Sequence, residues 1–404
     1  MASNKSSALK TGDLFQVTIE KVAHGGHFIA RHDGAVIFVR HAIPGEKCTI
    51  QITSTGSSFN RADVVSVETP SEFRVEAPCS FAHRNGCGGC DFQHISVGHQ
   101  RILKSDVIAE QFSRIAKTDL RVEVEEVGES THWRTRAIAT TDRNGKLGFY
   151  KSRSHSISPV TDCIICVEGM NFSQIASREL KGDVRVEISA SSTGERAIAL
   201  APTRGDEKAR LTEGPAVLHE NVFGKSLEAS QESFWQSHKR APEILTQVIL
   251  DFAKFEVGEH VLDLYGGVGV FSAAILDAVG ATGQVDLIEG SKVATADASR
   301  NFASYSNITI ATGDVVKLLP RITSADVIVL DPPRDGAGKD AVAQIARLAP
   351  RAIVYVACDP AALARDTTYL ADHSYSLVKM RAFDLFPMTH HIECVALYAR
   401  AAVS

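Results

Sequence analysis

The chain has 404 residues, 44% hydrophobic and 23% charged, with a formal net charge of −5. That length exceeds one ordinary core, so two or three domains are expected, and the acidic balance excludes a uniformly basic nucleic-acid coat while leaving room for a local basic groove. No apolar run is long enough to span a membrane and the start, MASNKSSALK, is polar, so a cytoplasmic, monomeric protein without a secretory leader is expected, its eight cysteines serving as thiols, metal ligands or catalytic groups rather than disulfides.

In chain order, residues 1–70 come first. Short alternating runs separated by Gly turns (FQVTIEKVAHGG, HFIARHDGAVIFVRH, CTIQITSTGSSF, NRADVVSVETP) predict a small closed β-barrel. Its candidate contacts to single-stranded nucleic acid are His24, His27, Phe28, Arg31, Arg40 and Arg61. Residues 71–229 follow as a β-rich central domain with one helix, about 97–117, that is free to pack on the next domain. Cys79, Cys87 and Cys90 lie close together with glycines between them, a pattern suited to a soft metal. A closed site needs a fourth thiolate, and VTDCIIC offers both Cys163 and Cys166. The stretch HWRTRAIATTDRNGKLGFYKSRSHS carries Arg134, Arg136, Arg143, Lys146, Lys151 and Arg153 against the single acid Asp142, and is expected to meet phosphates.

From 230 to 404 strands alternate with helices, which predicts a doubly wound α/β sheet. DLYGGVGVFS follows the first strand and opens a helix, where glycines let the backbone turn and approach a ligand. Such a turn alone does not separate a cofactor loop from a tight turn. The acids beyond it do more: Glu289, Asp314 and Asp331 end three successive strands, an arrangement that matches an S-adenosylmethionine pocket better than a dinucleotide site. YVACDPAALARD then puts Cys358 at the tip of the last parallel strand, facing the crevice where ligands bind in such sheets. DLFPMTHHIECVALYAR puts Glu393 in the final hairpin. A methyl donor, a thiol nucleophile and a carboxylate base together point to methylation of uracil carbon 5. That carbon is unreactive until a thiolate adds at carbon 6, and a base must remove the carbon-5 proton before the thiol is eliminated.

These residues carry a family likeness. Through SFWQ, DLYGGVGVFS, VLDPPRDG, YVACDPAALARD and FPMTHHIE, the chain resembles the RNA uracil-5-methyltransferases that make 5-methyluridine, over nearly its whole length. It looks most like the iron–sulfur, TRAM-domain branch that acts on 23S ribosomal RNA. The resemblance implies a class I, Rossmann-like S-adenosylmethionine methyltransferase domain, preceded by an OB-like TRAM barrel and a central iron–sulfur domain. It implies Cys358 as nucleophile and Glu393 as base. It places Gln236, Tyr265, Val270, Glu289, Asp314 and Asp331 around S-adenosylmethionine, and Cys79, Cys87, Cys90 and Cys163 on a [4Fe–4S] cluster, with zinc the chemical alternative. The chain departs from the family pattern at Ala357 (usually Ser), Asp359 (usually Asn) and Ser237-His238 (usually Val-Asn), and in a longer spacing between Cys79 and Cys87. The implied partner is RNA: 23S rRNA, or tRNA by the same chemistry, with the target uridine drawn out of its stack. Two rivals are weighed. Amino-group methyltransferases place an aromatic after Asp-Pro-Pro, where this chain has Arg334. A non-catalytic RNA-binding or ribosome assembly factor would not need Cys358, Glu393 and an intact Gly-rich turn.

Overall fold

The computed structural model describes residues 9–57, 59–205 and 207–400. The chain opens with β1 (Leu14–Ala23), β2 (His27–His32), β3 (Ala35–Arg40), β4 (Lys47–Ser54) and β5 (Asn60–Thr69), which close into a barrel in the order β1-β2-β3-β5-β4. Period-two alternation fills it: Ile37, Val39, Cys48, Ile50 and Ile52 all point inward and are buried. Phe28 belongs to this core and is fully buried, so the expectation that it meets RNA is corrected: its β2 position faces the barrel interior. Arg31 is engaged by Glu20, and Arg61 lies over the Phe59 ring.

The helix expected over 97–117 is α1 (Val97–Gln111), continued by a wider turn to Ala116 and ended at Lys117, whose φ is 56°. It leads to β6 (Val124–Glu126). Lys104 of α1 is buried and forms an ion pair of 2.6 Å with the equally buried Asp384, and also donates to the Phe386 carbonyl at 3.0 Å. Removing the ammonium strands a carboxylate in the interior, so Lys104→Ala should cost about 3–5 kcal/mol, read from chemical denaturation of the full chain.

The central region forms an antiparallel sheet from β7 (Arg136–Thr141), β8 (Leu147–Tyr150) and β9 (Ile157–Pro159), then helix α2 (Phe172–Ala176), then β10 (Val184–Ala190), β11 (Arg196–Pro202) and β12 (Arg210–Glu213). The strand order is β12-β11-β10-β7-β8-β9. Arg136 was expected to contact phosphate. It instead lies partly buried, paired with Glu220 at 2.9 Å and donating to the Ala190 carbonyl at 2.6 Å. As the first residue of β7 its side chain is committed to holding the sheet against the hairpin β13 (Val217–Val222) and β14 (Lys225–Ser230).

Helix α3 (Ala241–Ala253) then introduces the large sheet, whose elements are β15 (His260–Leu264), α4 (Val270–Val279), β16 (Gln284–Glu289), α5 (Lys292–Asn301), β17 (Ile308–Thr312), α6 (Val315–Leu318), β18 (Val327–Leu330), α7 (Gly338–Arg347), β19 (Ala352–Ala357), α8 (Pro360–Asp372), β20 (Tyr375–Asp384) and β21 (Glu393–Arg400). The order is β17-β16-β15-β18-β19-β21-β20-β6; β15 to β19 are mutually parallel and β21 runs antiparallel. VIVL and AIVYVA are buried at every position because helices cover both faces. The eighth strand is β6, contributed from before the central sheet and pairing parallel to β20. Among the described residues no helix is long and apolar enough to cross a membrane.

Candidate active site

The carboxyl ends of the parallel strands open on a cleft of about 690 Å³, within the size range of small-molecule sites. Two of its walls are dictated by strand register. Ala357 pairs with Cys394 at the last step of β19 against β21, and Cys358 and Glu393, which flank that pair, both line the cleft. Thiol and carboxylate thus come from adjoining strands to one cleft, where Glu393 is the charged group with the largest influence on Cys358. Alternation sends the neighbouring Cys394 into the core, fully buried. Asp331 follows β18 on the adjoining strand and accepts a hydrogen bond from Gln236 Nε2 at 3.0 Å.

The other end of the cleft is built by the Gly-rich turn. Tyr265 takes φ 61° and Gly269 takes φ 92° as the chain reverses from β15 into α4. A Cβ on Gly269 would meet the Phe302 ring, so only glycine fits there. Glu289 accepts from the backbone N–H of Gly267 at 3.1 Å and of Ser291 at 2.6 Å, fixing its carboxylate toward the turn. Asp314 caps α6 through the Lys317 N–H at 3.1 Å. Cys358, Glu393, Gln236, Tyr265, Glu289, Asp314 and Asp331 all line this one cleft. Val270 does not: it opens α4, and its side chain lines a separate hollow with Val222 and Leu250.

Electrostatics in the cleft are unusual. Burial, then Glu393 and Asp331, push the Cys358 thiol up to about 12, while Arg334 pulls it the other way. Burial, then Asp331, raises the Glu393 carboxyl well above the usual range, again opposed by Arg334. Asp331 is raised too, by burial and then by Asp263. Burial and mutual repulsion thus disfavour the charged forms of both Cys358 and Glu393, with Arg334 as the cation that favours them. Burial pushes Tyr265 up to about 12. Burial, then His390 and Arg334, depress His391 to about 3, which keeps its imidazole neutral.

Phe234, Arg334 and His391 are among the lining residues that had no role assigned from the sequence. Phe234 is 68% exposed while the adjacent Trp235 is buried. An aromatic left bare at the lip of a cleft is a platform on which a base can stack. The available signal was its place two residues before Gln236.

A second, wider cleft of about 980 Å³ continues from the first, sharing Ser237, Arg334, Phe386 and His391 with it. Its outer walls come from the barrel and the central sheet, and carry Arg134, Lys151, Arg153 and His155. Trp133 and His27 also line it; both are buried, and among the described residues neither Trp133 Nε1 nor His27 Nε2 has a hydrogen-bond partner.

Cys79, Cys87, Cys90 and Cys163 face one small apolar cavity at the edge of the central sheet. Cys166 is instead buried in the sheet's core. Four thiols around one cavity suit a soft metal in kind, but among the described residues no set of three or more His, Cys, Asp or Glu is arranged to hold a metal ion. The donor chemistry fits; a formed ligand cage does not.

Comparison with known proteins places these features. Residues 321–401 match the tRNA (Uracil-5-)-methyltransferase family and residues 8–65 the TRAM domain. A relative from Streptomyces avermitilis, described as an uncharacterized RNA methyltransferase, is 40% identical over 97% of this chain and 99% of its own length. A relative of the same description from Corynebacterium diphtheriae is 32% identical over 97% of this chain and 98% of its own. The crystal structure of the Pyrococcus abyssi tRNA (uracil-54, C5)-methyltransferase in complex with S-adenosyl-L-homocysteine superposes with a TM-score of 0.72, covering 95% of this chain and 99% of that one at 19% identity, which establishes a common fold.

Proposed function

Because the chain belongs to the RNA methyltransferase family, we propose that it methylates carbon 5 of a uridine through a covalent adduct at Cys358. The observation that carries this reading is the pairing of Ala357 with Cys394, which brings the flanking Cys358 thiol and Glu393 carboxylate into one cofactor-sized cleft. S-adenosylmethionine, when bound, supplies the methyl group as an electrophilic sulfonium. Glu289, Asp314, Tyr265 and Gln236, which line the cleft, would hold it. Cys358 gives its proton to solvent and the thiolate adds to uracil carbon 6; carbon 5 of the resulting enolate takes the methyl group as the donor's thioether leaves; Glu393, as carboxylate, removes the carbon-5 proton, and elimination expels the thiolate and restores the carbon 5–carbon 6 double bond. Arg334 assists twice, because its charge favours both the thiolate and the carboxylate. Phe234 stacks on the extruded base at the lip of the cleft.

The wider cleft is the RNA path. Arg134, Lys151, Arg153 and His155 meet phosphates along it, and the unpartnered Trp133 and His27 nitrogens await polar groups of the strand. Replacing Lys151 and Arg153 with alanine should weaken binding for all RNA sequences alike and lower the slope of log K against log salt by about one per residue, measured by filter binding across a salt series.

The substrate proposed is 23S rRNA, with tRNA the alternative. Labelled S-adenosylmethionine with unmodified transcripts of each decides between them, and nucleoside mass spectrometry must find 5-methyluridine. A methyl group on nitrogen or ribose overturns the reading. For the thiol cavity we propose a [4Fe–4S] cluster on Cys79, Cys87, Cys90 and Cys163, bracing the loop before α1 and taking no part in methyl transfer, with zinc as the alternative. Metal analysis and visible absorbance of anaerobically purified protein distinguish the two.

A further inference from the structure

The barrel does more than offer a surface to RNA. Its β1–β2 tip, His24-Gly25-Gly26, reaches the rim of the active site at two points. Gly26 packs so closely on His390 that a Cβ would lie 2.9 Å from its Nδ1, and that same Nδ1 is 2.6 Å from Asp91. His24 Nε2 lies 2.9 Å from Asp359 Oδ2. Asp359 directly follows Cys358 and is the N-cap of α8: its other oxygen, Oδ1, accepts from the backbone N–H of Ala361 and Ala362, both at 2.9 Å. Both oxygens are therefore engaged, one by the helix and one by the barrel.

We propose that His24 is a positioning residue for the nucleophile: by holding Asp359 Oδ2 it fixes that carboxylate and keeps its charge engaged, so the adjacent thiolate can form. The chemistry of the position makes this necessary. An asparagine would cap the helix as well as aspartate does, without a negative charge beside the attacking sulfur. Asp359 is charged: burial works to raise its pKa, but His24 and the α8 N–H groups more than offset it and hold the carboxyl below the usual range. That charge adds to those of Glu393 and Asp331 in opposing the thiolate, with Arg334 the cation set against them. A donor on the free oxygen is what this arrangement requires, and it comes from the barrel, 335 positions away in sequence.

The inference rests on Cys358 being the nucleophile, and its test has a readout that does not depend on RNA. Iodoacetamide is reacted with the full-length protein, and alkylation of Cys358, in which thiolate displaces iodide, is followed by peptide mass spectrometry. His24→Ala should slow it about three- to tenfold. In the methyltransferase assay kcat should fall by a similar factor while KM for RNA changes less than about twofold. Adding Asp359→Asn to His24→Ala, which keeps the cap and deletes the charge, should restore both rates. If His24→Ala raises KM alone and leaves alkylation unchanged, or if Asp359→Asn gives no rescue, the proposal is overturned and His24 serves RNA binding or barrel docking only. An alkylation effect with rescue, in a protein that yields no 5-methyluridine, would uphold His24 as positioning residue and reject the proposed reaction.

Discussion

Cys358→Ala protein should bind RNA and S-adenosylmethionine yet transfer no methyl group, its turnover falling by at least about 10⁴-fold, the scale on which removal of a nucleophile acts. The reason lies in the substrate. Uracil carbon 5 has no base-assisted route to attack a sulfonium unless carbon 6 is first saturated, and no neighbour replaces the thiol: Cys394, next along the hairpin, is sealed in the core. Binding should survive because Cys358 is one wall among many and the basic groove lies beyond it. The native enzyme's pH profile follows from the same thiol. With its pKa raised to about 12, only about 10⁻⁵ of it is thiolate at pH 7, so in single-turnover assays log rate should climb with unit slope as pH rises. The raised Glu393 carboxyl acts in the same sense, since the base also gains its working form as protons are withdrawn. A flat profile across pH 6–9 would remove thiol ionisation from the rate-determining path. Arg334→Ala should lower the rate at every pH without changing that slope, because the cation that favours both charged forms is gone.

Glu393→Gln should give the opposite phenotype: chemistry begins and cannot finish. Methyl transfer to carbon 5 leaves a proton on a saturated ring, and the Cys358–carbon 6 bond cannot break until that proton departs. Glutamine preserves size and accepts hydrogen bonds but takes no proton. A methylated protein–RNA adduct therefore accumulates in a one-to-one burst, survives denaturing gels, and carries label from S-adenosylmethionine. Steady turnover should drop by about 10²–10⁴-fold, the range of a positioned general base. If the variant turns over normally and no adduct forms, Glu393 is not the base, and Asp331, its neighbour across the cleft, becomes the candidate to test.

Much of the architecture was legible because it rests on local periodicity. Alternation in HFIARH and AVIFVR announces a barrel wall, and continuous apolar runs such as VIVL announce strands covered on both faces. The acids at strand ends were legible for a related reason: in a parallel sheet every strand leads to the same edge, so Glu289, Asp314 and Asp331 had to converge. What escaped is non-local. β6 is three residues long and has no period to read; pairing with β20 alone makes it a strand. Arg136 lay in a basic run that looked solvated, and nothing nearby in sequence announced Glu220. Phe28 alternates with its neighbours correctly but was assigned to the wrong face. Val270 opens α4 and lines a hollow apart from the cleft.

The β6 pairing has an implication for how such a molecule is made. Residues 124–126 emerge from the ribosome long before β20, so the catalytic sheet must keep its outermost seat vacant until both are available. A chain cut to its C-terminal half would leave Ala382, Phe383 and Asp384 of β20 without their outer partner, lengthening an edge able to recruit another molecule's strand. Severing the halves thus threatens solubility as well as catalysis, and gives selection a reason to hold all these parts in one polypeptide.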